Sequence, residues 1–235
     1  RDDKKGGHGM VDMYKSIVVS CNTYYYVLAN DMGIESIANF MRPLGFGQRS
    51  GIDLPGEAEG VLPSPEWKKR RFKRPEQQKW FGGETISVGI GQGYNAYTPL
   101  QMAQALGAVV NNGVLYRPHI ARHVVDAKTG EKRTIEPEPL RTIPFKQSHI
   151  DLIKRAMVGV NKAGTGSRAF AGAPYEVGGK TGTAENPHGK PHAWFMGFAQ
   201  EGKRTVAIAV IVENGGSGGA VAAPIARQVF RAAFR

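Results

Sequence analysis

Three runs near the C-terminal end constrain the fold of this chain more than anything else in it. Residues 175–184, 193–199 and 205–212 each have the length and composition of a β-strand, and short connections separate them. Connections that short leave no room for a parallel crossover, so the runs predict an antiparallel meander. Residues 206–212 are almost wholly apolar and read as a central strand covered on both faces. Beyond them, Val221, Ile225, Val229 and Ala233 recur at helical spacing and predict a closing helix packed on the sheet by that face.

Upstream the periodicity is helical. Val11, Tyr14, Ile17, Val18 and Cys21 mark a first helix. A second runs over 23–32 and stops at Gly33, after which Ile34, Ile37, Ala38 and Met41 continue the pattern to Pro43. Residues 45–96 read as one long irregular stretch, a kind of segment that usually carries function. Thr98-Pro99-Leu100-Gln101 is a capping box with proline at the first helical position, opening a helix that reaches Asn112-Gly113. Residues 115–125 read as a hairpin arm turning near Lys128-Thr129-Gly130. Ser148 is expected to cap a helix burying Ile150, Ile153, Met157 and Val160, and Gly164-Thr165-Gly166-Ser167 reads as a turn. The fold class is therefore α+β, helices first and then an antiparallel sheet backed by a terminal helix, in one domain without internal repeats. A chain of 235 residues is long enough to bury such a core.

The net charge of +11 suits nucleic acid, an anionic membrane surface or an acidic polymer. Its densest run, Lys68-Lys69-Arg70-Arg71-Phe72-Lys73-Arg74, reads as a solvated surface loop. No nucleic-acid module accompanies it and the aromatics are not interleaved as stacking platforms, so no specific nucleic acid is expected. The chain has no apolar run long enough to span a membrane, and its single cysteine excludes an internal disulfide. Gly89, Gly91 and Gly93 complete neither dinucleotide- nor phosphate-loop patterns.

The chemistry concentrates in Val177-Gly178-Gly179-Lys180-Thr181-Gly182-Thr183-Ala184. Strand alternation puts Lys180 and Gly182 on one face and Thr181 and Thr183 on the other. Gly178 and Gly179 would let a ligand backbone approach closely. A lysine flanked by hydroxyls on an open strand suits a carboxylate. Alone, Lys-Thr-Gly recurs in ordinary loops, and Ser20-Cys21-Asn22 alone is what a helix end uses for capping. In this order, Ser-x-Asn then Lys-Thr-Gly, they are two of the three marks of penicillin-recognising serine acyl enzymes.

With Gly51-Ile52-Asp53-Leu54-Pro55, Gly89-Ile90-Gly91-Gln92-Gly93, Thr98-Pro99-Leu100-Gln101, His192-Ala193-Trp194-Phe195 and Glu213-Asn214-Gly215-Gly216 beside those two motifs, essentially the whole chain resembles one family. It is similar to the transpeptidase domain of class B penicillin-binding proteins, and within them to the penicillin-binding protein 2 branch of the elongation machinery. The resemblance implies the penicillin-binding fold and a D,D-transpeptidase that cross-links peptidoglycan stem peptides ending in D-Ala-D-Ala, with β-lactams as covalent mimics. It implies catalytic roles for Ser20, Asn22 and Lys180: Ser20 relays a proton to the departing amine, Asn22 holds the substrate amide, and Lys180 supplies charge. Thr181, Gly182 and Thr183 would bind substrate, with the Thr183 backbone N–H as an oxyanion donor. No cofactor is required for that chemistry. The implied partners are a membrane-embedded glycan polymerase and scaffold proteins of the elongation complex, at the periplasmic face of a bacterial inner membrane.

One departure matters. The family's nucleophile lies in Ser-x-x-Lys, and none of the nine serines here has lysine three positions on. Residues 1–235 are accordingly expected to be the C-terminal portion of a single transpeptidase domain, inactive alone, with the nucleophile, first strand and core helix upstream. A non-catalytic penicillin-binding-like scaffold or β-lactam sensor is the alternative. Asp2, His8 and Cys21 also offer donors suited to zinc, and some elongation-type relatives carry such a structural ion beside Ser-x-Asn; Asp3 could replace Asp2. A buried free cysteine beside two exposed loop residues is the other reading of that trio.

Overall fold

A computed structural model describes Asp2 and residues 4–235. Helix α1 (Met13–Val18) starts at Asp12, whose carboxylate accepts the Lys15 N–H at 2.7 Å. The chain turns at Val19 and Ser20 into α2 (Asn22–Met41). Gly33, at φ 73° and ψ 157°, interrupts α2, so the expected stop is a kink from which the helix resumes. Glycine is the residue that reaches this backbone region without a Cβ penalty.

Residues 45–96 are not irregular throughout. They hold three short helices, α3 (Pro65–Arg71), α4 (Pro75–Gln78) and α5 (Gly82–Gly89). Ser64 caps α3 by accepting the Trp67 N–H, with Pro65 in the first turn. The basic run is thus helical in its first half, and Lys68 is only 3 % exposed rather than solvated. Its ammonium pairs with Glu84 and donates to the Lys79 carbonyl at 2.7 Å. The rings of Phe81, Tyr94 and Trp80 surround it, with centroids 5.2, 5.5 and 5.8 Å away. Neutralisation by Glu84 and the ring faces together make that burial tolerable. Lys69, Arg70, Arg71, Lys73 and Arg74 do face solvent.

The expected capping box opens α6 (Pro99–Val110), and Gln101 does more than cap. Fully buried, it accepts from Thr98 N–H through Oε1 and donates through Nε2 to the Gln48 and Glu59 carbonyls, pinning the 45–60 segment. The expected hairpin arm is divided between two small antiparallel pairs. Strand β1 (Val114–Tyr116) pairs with β4 (Pro139–Thr142), and β2 (His123–Val125) pairs with β3 (Lys132–Thr134). Helix α7 (Gln147–Ala163) is capped at Lys146 without a side-chain bond, so Ser148 lies inside its first turn rather than at its cap. A short α8 (Ser167–Phe170) follows the glycine turn.

The meander is present as expected: β5 (Glu176–Ala184), β6 (His192–Glu201) and β7 (Arg204–Val212), antiparallel in that order. Within residues 1–235, β6 is covered on both faces, while β7, expected as the covered strand, is half-buried. Ala193, Phe195 and Ala199 of β6 pack with Phe170, Ala226 and Phe230, while Phe198 packs on the other side with Leu106 and Met157. Among the described residues β7 pairs only with β6, and its apolar residues are half-buried. The apolar composition of 206–212 therefore reflects one packed face and partial cover of the other.

The closing helix α9 (Ala223–Ala233) follows a π turn at Gly218–Ala222. It buries Ala223, Ala226 and Phe230, whereas Ile225 and Val229 are 39 % and 43 % exposed. Of the expected face, Val221 packs on the core and Ala233 is half-buried, but Ile225 and Val229 are turned outward. Alanines let the helix approach the sheet closely enough for Phe230 to reach Phe170 and Tyr175, and that aromatic packing sets the rotation. Among the described residues no helix is long and apolar enough to cross a membrane.

Candidate active site

Ser20 sits in the tight turn between α1 and α2, held by its N–H on the Ile17 carbonyl and by the Cys21 N–H on the Ser16 carbonyl. Its φ is +58°, a left-handed conformation unusual for serine. Such strain costs on the order of 1–2 kcal/mol and persists where surrounding structure imposes it. The turn presents Oγ to Lys180, whose ammonium donates to it at 2.7 Å across 160 positions of sequence. Lys180 also donates to the Thr181 carbonyl at 2.8 Å. Because the ammonium has no acceptor capacity, Ser20 receives this bond and keeps its own proton for another partner. Asn22 opens the first turn of α2, half-buried and two residues on.

Strand β5 carries Lys180 to this point because helix α7 and β6 flank it. Asn161 of α7 donates to the Val177 carbonyl at 3.3 Å. Gly178 and Gly179 are buried, and a side chain at either would run into the rings of Phe198 and Phe195. Their role is to let two phenylalanines cross β5, not to admit a ligand backbone as expected. Gly182 lies further along the strand, half-buried over the Trp194 Cβ.

The two threonines share the other face, as alternation requires. Thr183 Oγ1 receives the Gly218 N–H at 3.4 Å. Thr181 Oγ1 lies 2.6 Å from Thr165 Oγ1. Thr165 is a functional neighbour that the sequence reading treated only as part of a turn. The signal was present in Gly164-Thr165-Gly166, since a side chain at Gly164 would strike the Val18 carbonyl and one at Gly166 the Asn161 side chain. The glycines bring this turn against the end of α1 and the last turn of α7. The site is therefore a convergence of the Ser20 turn, β5, the Thr165 turn and the Gly218–Ala222 turn.

Asp2, His8 and Cys21 form the second cluster, with donor atoms all within 4.8 Å of one another. The Asp2 carboxylate accepts from the Thr23 N–H at 3.2 Å, the Thr23 hydroxyl at 3.0 Å and the Cys21 thiol at 3.3 Å. His8 Nδ1 stands 3.1 Å from Asp2 Oδ1, yet this buried nitrogen makes no hydrogen bond among the described residues. A ring nitrogen and a carboxylate oxygen converging without hydrogen-bond geometry is an arrangement that two ligands take toward a cation. Burial foremost, together with the Asp2 carboxylate, pushes the Cys21 thiol above its ordinary pKa. Asp2 and His8 are half-buried rather than exposed loop residues. Asp3, the substitute ligand, lies outside the described residues.

Nearly the whole chain is similar to known proteins. The family model described as penicillin binding protein transpeptidase domain matches residues 1–231. A peptidoglycan D,D-transpeptidase MrdA of Acinetobacter baumannii is 45% identical over 248 residues, covering 98% of this chain and 35% of the relative. The crystal structure of Pseudomonas aeruginosa PBP2 in complex with WCK 5153 superposes with a TM-score of 0.85 at 38% identity, covering 98% of this chain and 49% of that one. PBP2 of Helicobacter pylori, solved in complex with MreC, gives a TM-score of 0.80 at 29% identity, covering 100% and 43%. The chain thus spans about a third of the curated relative's length and about half of the first solved chain.

Proposed function

This chain belongs to the penicillin-binding transpeptidase family, and from that premise we propose that it serves a peptidoglycan D,D-transpeptidase acting in cell elongation and shape. The observation that carries the reading is the 2.7 Å bond from Lys180 to Ser20, which joins the two family motifs in one site. In the reaction, a serine Oγ attacks the penultimate D-alanine carbonyl of a stem peptide. The C–O bond forms, the C–N bond to the terminal D-alanine breaks, and the serine's proton ends on the departing amine. Ser20, kept as a donor by Lys180, is placed to pass that proton on. Thr181 and Thr183 receive the terminal carboxylate with the Lys180 charge nearby, Gly182 continues the binding strand between them, and the Thr183 backbone N–H faces the developing oxyanion. Asn22 holds the substrate amide. An amine of a neighbouring stem peptide then attacks the acyl-enzyme, restoring the serine.

The attacking serine and its lysine are not among residues 1–235, where no serine is followed by lysine at the third position. The reading therefore assigns them to sequence outside these residues, in a protein held at the periplasmic face of the inner membrane. The Helicobacter pylori relative in complex with MreC, and a neighbour solved in a peptidoglycan synthase complex that coordinates polymerization with crosslinking, support a setting with protein partners, which we assign as a scaffold and a membrane-embedded polymerase of the elongation complex. Labelling with fluorescent penicillin followed by intact mass, on this chain and on one extended upstream, tests the assignment. An adduct on the extended chain only is expected. No adduct on either folded chain would replace the enzyme by a scaffold or sensor, and a specific adduct on residues 1–235 would overturn the account of the nucleophile.

Asp2, His8 and Cys21 fit a structural zinc by donor type and by the unbonded His8 nitrogen. Such an ion supplies no reaction step; it would brace the start of the chain against the Ser20–Asn22 turn. Elemental analysis of the extended protein should find stoichiometric zinc that Cys21→Ser loses, and zinc absent from a folded wild type would refute the site.

A further inference from the structure

We propose that Thr165 is a positioning residue of this site: its hydroxyl hands a hydrogen bond to Thr181 and so aims the Thr181 proton at the carboxylate of the acyl donor. The proposal rests on the carboxylate-receptor reading of Thr181. The two hydroxyl oxygens stand 2.6 Å apart, so one of the pair donates to the other. Each hydroxyl has a single proton, and a carboxylate can only accept. Once Thr181 gives its proton to the carboxylate, the bond between the threonines must run from Thr165 to Thr181. A chain of two bonds in one direction polarises and strengthens its outer member. Without Thr165, Thr181 would lose that donor and the fixed orientation that comes with it.

The placement is built rather than incidental. Gly164 and Gly166 bring the turn against Val18, Val160 and Asn161. From the other side, a Cβ on Gly219 would lie 2.6 Å from the Thr165 carbonyl oxygen and 3.7 Å from the Thr181 Cγ2, so the π turn closes over both threonines. Thr165 is exposed and Thr181 half-buried, so burial does not oblige the hydroxyls to pair; water could satisfy either. Their pairing at the mouth of the site is explained by an acceptor that arrives there.

The test uses the full-length protein with its upstream segment and two probes, benzylpenicillin and its methyl ester, reading second-order acylation rates by intact mass. Thr165→Val should slow benzylpenicillin about tenfold, the upper scale of one neutral hydrogen bond, and change the ester by less than about twofold. Thr165→Ser, which keeps the hydroxyl, should restore the rate. Equal loss with both probes, or no loss with either, overturns the relay. Thr181→Val is measured in parallel. If it discriminates between the probes while Thr165→Val does not, the relay falls and the carboxylate reading stands. If Thr181→Val does not discriminate either, the carboxylate reading itself falls and takes the relay with it. Should Thr165→Val unfold, Thr165→Ala is read against the same pair of probes.

Discussion

Between residues 176 and 234 the backbone is held by a continuous strand ladder with an aromatic core on either side. Between residues 45 and 138 it is held by smaller apolar and aromatic clusters, with Phe46, Leu62, Ala105 and Leu115 in one and Trp67, Phe72 and Tyr94 in another, joined by separate polar side chains. In the first region β6 pairs with β5 and with β7 over nine positions each, and Phe195, Phe198 and Phe230 are almost wholly buried. In the second, Lys68 and Glu84 tie α3 to α5, Gln101 pins 45–60, and the Asp53 carboxylate accepts the Ile120 and Ala121 N–H groups. The difference teaches how one site obtains two kinds of part. Lys180, Thr181 and Thr183 ride on a ladder whose register cannot slip without turning every side chain over. The second region has smaller apolar clusters and shorter strands, so its polar ties matter more, and the carboxylates among them depend on their protonation state.

The largest effect should come from breaking the aromatic core. Phe195→Ala is expected to destabilise by about 4 kcal/mol, within the usual range for a buried phenylalanine. Urea unfolding measures it, and a loss below about 2 kcal/mol would mean that the core repacks and the contrast between the regions is weaker than drawn.

Lys68→Met comes next, at about 3 kcal/mol, because it strands a largely buried Glu84 carboxylate. Adding Glu84→Leu should recover much of that loss, since the penalty comes from the orphaned charge and not from lost attraction alone. A double variant as unstable as the single one would show that the pair's geometry, rather than its charge balance, secures α5.

Acid should give the smallest and most localised effect. Burial opposes ionisation of Glu84, but Lys68 and the Phe81 N–H outweigh it and hold its pKa below the ordinary value. The Ile120 and Ala121 N–H groups lower Asp53, and Arg117 lowers Glu138. A carboxylate with a depressed folded-state pKa contributes stability that is present above its unfolded value, near 4, and lost as pH falls through the folded one. Hydrogen exchange followed from about pH 5 down to about pH 3, corrected for intrinsic rates, should therefore show protection lost in 45–138 before β5–β7. Simultaneous loss in both regions would erase the distinction.

The sequence by itself determined the meander, the capping box at Thr98, the helix break at Gly33 and the two motifs of the site. Each depends on short-range physics: a period of two, a cap three residues from its partner, a glycine where φ is positive, a spacing of chemically distinctive residues. Tertiary structure decided what those rules cannot reach. Within residues 1–235 it covered both faces of β6 and left β7 half-buried, because cover depends on which helices return to the sheet. It turned α9 onto Ala226 and Phe230, because close approach and ring packing outweighed the branched residues at 225 and 229. It buried Lys68, whose partner lies 16 residues away, and gave Gly178 and Gly179 to the phenylalanines of the next strand. It also brought Thr165 to Thr181 and Ser20 to Lys180, contacts across 16 and 160 positions that no local rule predicts and that packed helices and strands alone create.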